Sequence, residues 1–237
     1  MRNACIIPFN ENESIVITSD NSGAIGLKED DAVKVPYDVV SYYAFRVAMM
    51  ECLASGAEPL SIVMQNFCGD EPWTKLVQGI EKGMEELQME LPITGSTESN
   101  FYLLQSAIGM LVIGKKKNDR NRWIPQPDRT KYAVIGSPLV GLEVIERNRE
   151  VAPLHLFKEM SETEQVMTWP VGSKGILYEW GQIPEDNRLV NTPITCDVDL
   201  LKSSGPATCF LVGYSIEKEK EIIEKAGLLF HPILPIE

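Results

Sequence analysis

Apolar and polar positions along the first half of the chain follow two different periods, which predicts alternating strands and helices. Residues 14–18 have the β-branched content of a short strand. Residues 60–67 predict a buried strand, because Ile62, Val63 and Met64 follow one another without alternation. Leu76, Val77, Ile80, Met84 and Leu87 fall on one face of a helix. The predicted order is strand 14–18, helix 39–55, strand 60–67, a helix opening at residues 70–73, strand 91–94 and strand 105–114.

Short polar residues predict where these elements begin and end. Residues 19–23 (Ser-Asp-Asn-Ser-Gly) predict a turn that places the Asp20 carboxylate and the Asn21 amide at the end of the first strand. Asp38 is a suitable N-cap for the first helix, and Gly56 a suitable left-handed stop. The acidic pair Asp30-Asp31 predicts an exposed loop.

In the second half, predicted strands and helices again alternate, after a segment rich in proline and charged residues. Residues 118–130 predict a linker between two domains, residues 1–117 and 131–237. The glycine-punctuated residues 169–181 predict a loop that leads into a helix. The remaining elements are strand 132–136, helices 141–149 and 153–160, strand 207–214, helix 216–226 and strand 228–234. This order predicts an α/β or α+β fold.

Composition narrows the class of protein. The 237 residues are 44% apolar and carry a net charge of −12, and neither half is basic, which argues against nucleic acid as a partner. No apolar run is long enough to cross a membrane. Five scattered cysteines and two histidines, without a Cys-x-x-Cys pair, argue against a zinc site or a disulfide framework and favour the cytoplasm.

Several common catalytic signatures are missing. The sequence contains no P-loop, no Gly-x-Gly-x-x-Gly and no Gly-x-Ser-x-Gly elbow. His155 and His231 have no evident triad partners in sequence. Hydrolase chemistry therefore has little support, whereas nucleotide binding by another fold stays open.

The segment of residues 93–100 (Ile-Thr-Gly-Ser-Thr-Glu-Ser-Asn) is the most distinctive candidate site. Gly95, Ser96, Thr97 and Asn100 suit a tight turn that meets a phosphate, and Glu98 suits a hydrated metal ion. The alternative is a solvated loop between two strands.

Asp20 and Glu98 are the two candidate metal ligands, because both follow short strands and lie among small polar residues. Two carboxylates at strand ends can hold Mg²⁺ while a triphosphate supplies further oxygens. Each could instead cap a turn. Lys174, in Gly-Ser-Lys-Gly, could face a phosphate or simply be solvated.

Three motifs in the first 114 residues resemble the aminoimidazole ribonucleotide synthetase (AIR synthase) superfamily. They are Ser19-Asp20, the helix end Ala-Ser-Gly-Ala-Glu-Pro at residues 54–59, and Gly-Ser-Thr-Glu at residues 95–98. The superfamily includes thiamine-monophosphate kinase, selenophosphate synthetase and a hydrogenase maturation factor. The chain is most similar to a short subgroup related to the alpha-ribazole kinase of cobalamin salvage.

The resemblance implies a PurM-like architecture: an N-terminal α/β domain that forms a homodimer through its sheet, followed by a smaller C-terminal α/β domain. It also implies ATP and Mg²⁺ as cofactors and phosphoryl transfer to a small nucleoside-like alcohol. Asp20 and Glu98 would then hold Mg²⁺ with help from Asn21 and Asn100. Gly95, Ser96 and Thr97 would contact phosphate, and Lys174 would neutralise charge on the transferred group.

Two departures from the family pattern keep alternatives open. The usual Gly-Asp-Asp-Ala-Ala motif before the first strand is missing, and Asp30-Asp31 follows that strand, so its role is not carried over. Thr97 stands where an acid is expected, with Glu98 one position later. The alternatives are a nucleotide-binding scaffold or regulator without turnover, and another phosphate-activating enzyme such as a ring-closing synthetase.

Overall fold

The computed structural model describes residues 4–118, 123, 125–184 and 193–236. These residues form two compact units that divide near residue 120. The N-terminal unit contains β1 (Ala4–Pro8), β2 (Glu13–Gly23), β3 (Ile25–Gly26), β4 (Val33–Lys34), α1 (Tyr37–Ala54), β5 (Glu58–Asn66), α2 (Trp73–Glu86), β6 (Ile93–Thr97) and β7 (Ala107–Lys117). The C-terminal unit contains β8 (Thr130–Ile135), α3 (Glu143–Glu146), α4 (Leu154–Glu162), β9 (Val166–Pro170), α5 (Ile176–Gln182), β10 (Ile194–Thr195), β11 (Phe210–Ser215), α6 (Glu219–Ala226) and β12 (Phe230–Pro235).

The N-terminal unit is built on a five-stranded sheet in the order β1-β2-β7-β5-β6. Its pairs are antiparallel except for β5 and β6, which are parallel. Residues alternate along β2 and β7 between buried and half-buried positions, as expected for strands that have one face in the core. The helix α1 covers the buried face, where Thr18 Oγ1 donates a hydrogen bond of 2.7 Å to the Ala48 carbonyl.

The helix α1 is buried around most of its circumference because it lies between the sheet and α2. It begins at Tyr37 after Pro36, so the prediction that Asp38 is the N-cap was wrong. Proline fixes the backbone angle before the first turn, and Asp38 lies in that turn, where its charge still favours the helix dipole. Gly56 follows α1 with φ of +75°, as the left-handed stop predicted.

Two segments predicted to be turns are strands in the structure. Residues 19–23 continue β2 and pair with β7 through Asp20 opposite Met110, and Gly95 to Thr97 lie in β6 opposite β5. Local turn propensity was overridden because each segment pairs along its length with a longer neighbouring strand of the sheet. Asp20 and Gly95 therefore belong to regular sheet.

The C-terminal unit contains a second five-stranded sheet, β10-β12-β8-β11-β9, with antiparallel pairs. One face packs against α5, with Tyr132 and Trp180 in edge-to-face contact at 4.9 Å. The helix α4 packs on β9, and its Phe157 meets Phe210 of β11 at 4.9 Å. The strand β9 lies partly within residues 169–181, where a loop was predicted.

The predicted linker, residues 118–130, lies partly outside the described residues. A 3-10 turn at Pro127–Arg129 leads directly into β8 at Thr130, so Thr130 belongs to the second sheet. The domain limits drawn from the sequence stay a prediction.

Among the described residues, no helix is long and apolar enough to cross a membrane.

Candidate active site

Asp20 lies on the face of β2 that α1 covers, two residues after the fully buried Thr18. Desolvation by burial raises the pKa of Asp20 to about 7, and the hydrogen bond from the Asn21 backbone N–H lowers it by less. A carboxyl group in this position is only partly ionised at neutral pH. A bound cation would strongly stabilise its ionised form. This property is expected of a ligand of a hydrated Mg²⁺.

Asp20 and Glu98 are not close enough to share a metal ion within the N-terminal unit. The register runs from Asp20 through Met110 and Met64 to Gly95, so β7 and β5 lie between β2 and β6. Three steps of about 4.8 Å between strands put roughly 14 Å between the Cα atoms of Asp20 and Gly95. Glu98 lies further along the chain. In the described part of the chain, no group of three or more His, Cys, Asp or Glu side chains is arranged to hold a metal ion.

Asn21 does not lie beside the Asp20 side chain. Successive residues of a strand point to opposite faces, and Asn21 is exposed on the face away from α1. Its amide therefore does not reach a ligand held by Asp20 within the same unit.

Gly95 is explained by packing in β6. A Cβ atom at this position would lie 2.0 Å from the Met64 carbonyl oxygen and 3.1 Å from the Trp73 ring. Ser96 is exposed, and Thr97 Oγ1 accepts a hydrogen bond of 3.1 Å from Asn66 Nδ2. The Ser96 hydroxyl is therefore open to a ligand, whereas that of Thr97 is already bonded to Asn66.

Glu98 caps the bend that follows β6. Its Oε1 accepts hydrogen bonds from the backbone N–H groups of Asn100 (2.7 Å) and Phe101 (3.1 Å). This is the turn-capping arrangement that was the alternative to metal binding. Asn100 is itself exposed.

Lys174 belongs to the C-terminal unit, in the loop before α5. Its Nζ lies 4.4 Å from the centre of the Tyr178 ring and 3.4 Å from the Tyr178 hydroxyl. The lysine is therefore held over an aromatic ring in an exposed position.

Asp31 is buried, whereas the sequence predicted an exposed loop. It accepts hydrogen bonds from the Ser106 backbone N–H and hydroxyl, each at 2.7 Å, and from the Lys28 backbone N–H at 2.8 Å. Desolvation raises the pKa of Asp31, but these hydrogen bonds and the charge of Lys34 together hold it below its usual value. Asp31 stays ionised and fixes the start of β7.

Lys28 is a second buried charge, and no sequence pattern singled it out. Its Nζ donates to the carbonyl oxygens of Phe67 (3.2 Å) and Leu103 (2.8 Å) and lies 4.7 Å from the Tyr102 ring. Lys28 and Asp31 thus clamp the segment between β6 and β7 to the end of the sheet. The acidic pair at residues 30–31 was the only sequence signal for this clamp.

A wide groove of about 730 Å³ opens beside the clamp. Its lining comes from Gly23 and Ala24, from Asp30, and from the segment 103–107 that leads into β7. Asp20 lies three residues before Gly23, or roughly 10 Å along β2. The groove is large enough for a nucleotide.

Residues 1–115 match the family of AIR synthase related proteins, N-terminal domain. The N-terminal part of this chain belongs to the AIR synthase superfamily. The fold agrees with the PurM-like architecture, and two solved structures with a similar fold cover 96% and 99% of this chain and so include both units. No curated protein sequence matches the chain.

Three solved structures illustrate the similarity in fold. The protein tt0281 from Thermus thermophilus has a TM-score of 0.64 at 14% identity, covering 99% of this chain and 86% of its own. The HypE-HypF complex gives 0.62 at 13% identity, covering 96% and 86%. Thermotoga maritima PurL complexed with ADP gives 0.60 at 16% identity, covering 98% of this chain and 42% of PurL.

The chain spans only part of some of these proteins. It covers 34% of phosphoribosylformylglycinamidine synthase II from Thermotoga maritima, and 34% and 35% of Thermotoga maritima PurL in its complexes with ATP and with AMPPCP. At this level of identity the similarity shows the fold, and the activity of the longer enzymes does not transfer with it.

Proposed function

We propose that this protein is an ATP- and Mg²⁺-dependent kinase that phosphorylates a small nucleoside-like alcohol, with alpha-ribazole as the first candidate. The observation that carries the proposal is Asp20, a half-buried carboxyl at the position of the family's Ser/Thr-Asp motif. The groove beside β2 and the solved relatives with ATP, ADP and AMPPCP support a nucleotide as its ligand.

In this proposal Asp20 binds Mg²⁺ through water or directly, and the phosphates complete its coordination. The ion would supply positive charge to the transferred phosphoryl group. Gly95, Ser96 and Thr97 remain the proposed phosphate contacts, and Asn100 remains a proposed helper in holding the metal ion. Glu98 acts apart from the ion at Asp20, and Lys174 neutralises charge on the transferred group.

The proposal includes a homodimer formed through the N-terminal sheet. Ile15, Ile17, Leu111 and Ile113 form an apolar stripe on the face of the sheet away from α1 and are only partly buried. Ile7, opposite Ile15 in β1, is 45% exposed. A second copy would cover this stripe.

The proposal also includes a cytoplasmic location. It agrees with the presence of five free thiols, which are those of Cys5, Cys52, Cys68, Cys196 and Cys209.

The first test is thermal stability with ATP, with Mg²⁺ and with both. Saturating ligand at ~100 times its dissociation constant adds about 2.7 kcal/mol. We expect a midpoint increase of a few degrees that needs both ligands, followed by ADP release when alpha-ribazole is added. Asp20→Asn should lower turnover at least tenfold while the protein stays folded, and Glu90→Gln, at an exposed carboxylate before β6 and outside the groove, should not.

Unchanged turnover in Asp20→Asn would remove Asp20 from the site. If neither ligand stabilises the protein, nucleotide binding is refuted.

A second candidate function is a nucleotide-binding scaffold without turnover. It is favoured by the separation of Asp20 from Glu98, which leaves one carboxylate where the family uses several. Stabilisation by ATP and Mg²⁺ without ADP release from any riboside would support the scaffold.

A further inference from the structure

A small polar cavity lies inside the C-terminal unit, at one end of its sheet. It has a volume of about 140 Å³ and is lined by the start of β8, the end of β11 and the residue before β9. The side chains that line it include Thr130, Ser215, Gln126 and Gln165. None of the residues discussed above as a candidate for phosphate or metal binding contributes to it.

Thr130 gives this cavity an unused hydrogen-bonding group. The residue is only 6% exposed, and its Oγ1 has no hydrogen-bond partner among the described residues. A buried hydroxyl without a partner costs about 1–3 kcal/mol. The Oγ1 atom is itself shielded from solvent, so the Thr130 side chain has to rotate about its Cα–Cβ bond before a ligand hydroxyl in the cavity can remove that cost.

The sheet register places a second hydroxyl next to the first. Ser215 is directly opposite Thr130 on the neighbouring antiparallel strand, so both side chains lie on the same face. Ser215 Oγ accepts a hydrogen bond from the Glu217 backbone N–H at 3.4 Å and keeps its own hydrogen to donate. Two neighbouring hydroxyls of this kind match a ligand with two adjacent hydroxyl groups.

Gln165 completes the wall of the cavity in a strained conformation. Its φ of +61° is unusual for a residue other than glycine, and its carbonyl accepts the Ser215 N–H at 3.1 Å. Such conformations persist where the surrounding structure requires them and are frequent in binding sites. The backbone of Gln165 is therefore fixed beside Ser215 at the wall of the cavity.

The charges at the cavity cancel. Arg129 and Glu217 also line the cavity and form an ion pair with each other. Amides, hydroxyls and a compensated ion pair suit a neutral ligand that both donates and accepts hydrogen bonds, and Trp123 adds an aromatic surface.

We infer that this cavity binds a vicinal diol of a pentose. The source of that diol is either the ribose of the acceptor, in which case the inference rests on the proposed kinase function, or a free pentose. The volume of the cavity fits a sugar and not a whole nucleoside. The base of a riboside would therefore remain outside it.

The test is binding measured by saturation-transfer NMR and by Trp fluorescence in the absence of ATP. The probes are alpha-ribazole, D-ribose and the benzimidazole base alone. We expect alpha-ribazole to bind and the base alone to bind at least fivefold more weakly. Binding of D-ribose would identify a free pentose site, whereas binding of the riboside only would identify the acceptor's ribose.

Two variants connect the binding to the cavity. Thr130→Val keeps the shape and removes only the unused hydroxyl, so it should leave the unfolding midpoint unchanged or higher and weaken binding at least fivefold. Gln165→Gly removes the amide and relieves the strain, with the same expected loss of affinity. Thr195→Val, an exposed threonine of β10, is the matched control.

The inference is overturned if Thr130→Val and Gln165→Gly bind as well as the wild type, if the base alone binds as tightly as the riboside, or if neither sugar-containing probe binds. Because no phosphate is transferred in this experiment, the result is separate from the kinase proposal. If Thr130→Val releases ADP with an unchanged KM for alpha-ribazole, the kinase proposal is still supported and the cavity has no role in it.

Discussion

Asp20 shows how a single side chain in the sheet combines a stability cost with a proposed role in binding. The same burial that raises its pKa to about 7 makes its charged form unfavourable in the folded protein. A cation would reverse this, since it stabilises the ionised carboxylate. The position is therefore poorly suited to stability alone.

The stability of the protein without divalent cations should fall as Asp20 ionises. Because the folded pKa lies above the unfolded value of 3.8, the stabilising contribution is complete below pH 3.8 and is lost as the pH rises through about 7. Asp20→Asn removes this dependence. In the presence of a chelator, the variant should unfold a few degrees above the wild type at pH 8 and show a much smaller advantage at pH 4.5.

Thermal unfolding by circular dichroism at both pH values is the measurement. The Asp30→Asn protein, altered at an exposed carboxylate, serves as control and should follow the wild type. An advantage of Asp20→Asn that is equal at both pH values would show that the Asp20 carboxyl is not destabilised by burial.

The neighbours Asp30 and Asp31 provide a matched pair for the buried clamp. Asp31→Ala leaves the Ser106 and Lys28 backbone N–H groups without their acceptor, and we expect it to reduce the free energy of unfolding by about 2–4 kcal/mol. Asp30→Ala changes an exposed side chain and should stay within about 0.5 kcal/mol of the wild type. Urea denaturation of both proteins measures the difference, and equal stabilities would contradict the role of the clamp.

At the scale of elements, two glycines allow α1 and α2 to approach closely. A Cβ atom at Gly79 would lie 2.1 Å from the Asp38 carbonyl oxygen and 2.1 Å from Ser41 Oγ, and one at Gly83 would lie 2.4 Å from the Phe45 ring. Glycine normally weakens a helix. Here close packing against α1 compensates for that loss.

Gly79→Ala should therefore destabilise the protein by about 1–3 kcal/mol, although alanine is the better helix former. In contrast, Gly181→Ala in α5 meets nothing within 4 Å and should stabilise by about 0.5–1 kcal/mol. If close packing against α1 determines the effect at Gly79, chemical denaturation will show changes in the free energy of unfolding of opposite sign for the two variants. A stabilising Gly79→Ala would mean that the helices can move apart without cost.

At the scale of the whole molecule, the N-terminal sheet has one face covered by α1 and an opposite face with an incompletely buried apolar stripe. We expect the wild type to have the mass of a dimer in light scattering. Leu111→Glu would place a charge in the middle of that stripe and should yield monomers. Ile223→Glu, at a position that is 41% exposed on α6, should leave the mass unchanged. A monomeric wild type would refute association through the sheet.

The sequence by itself determined the class of the fold and most of its elements. The helical face of Leu76, Ile80, Met84 and Leu87 is buried as predicted, because periodic apolar positions need a core whatever the surrounding fold. The end of α1 at Gly56 was also predictable from local sequence, because glycine is the residue that most readily adopts the left-handed conformation found there. The motifs from Asp20 to Glu98 also identified the superfamily.

Only the tertiary structure decided how the candidate residues are arranged. Whether residues 19–23 and 95–97 are turn or strand depended on neighbouring strands far away in the sequence. The separation of Asp20 from Glu98 followed from the strand order, which no local pattern contains. The clamp at Asp31 and the cavity at Thr130 likewise depend on partners about 75 and 85 residues away, Ser106 and Ser215. Burial and register are properties of the folded chain, so local residue patterns cannot specify them.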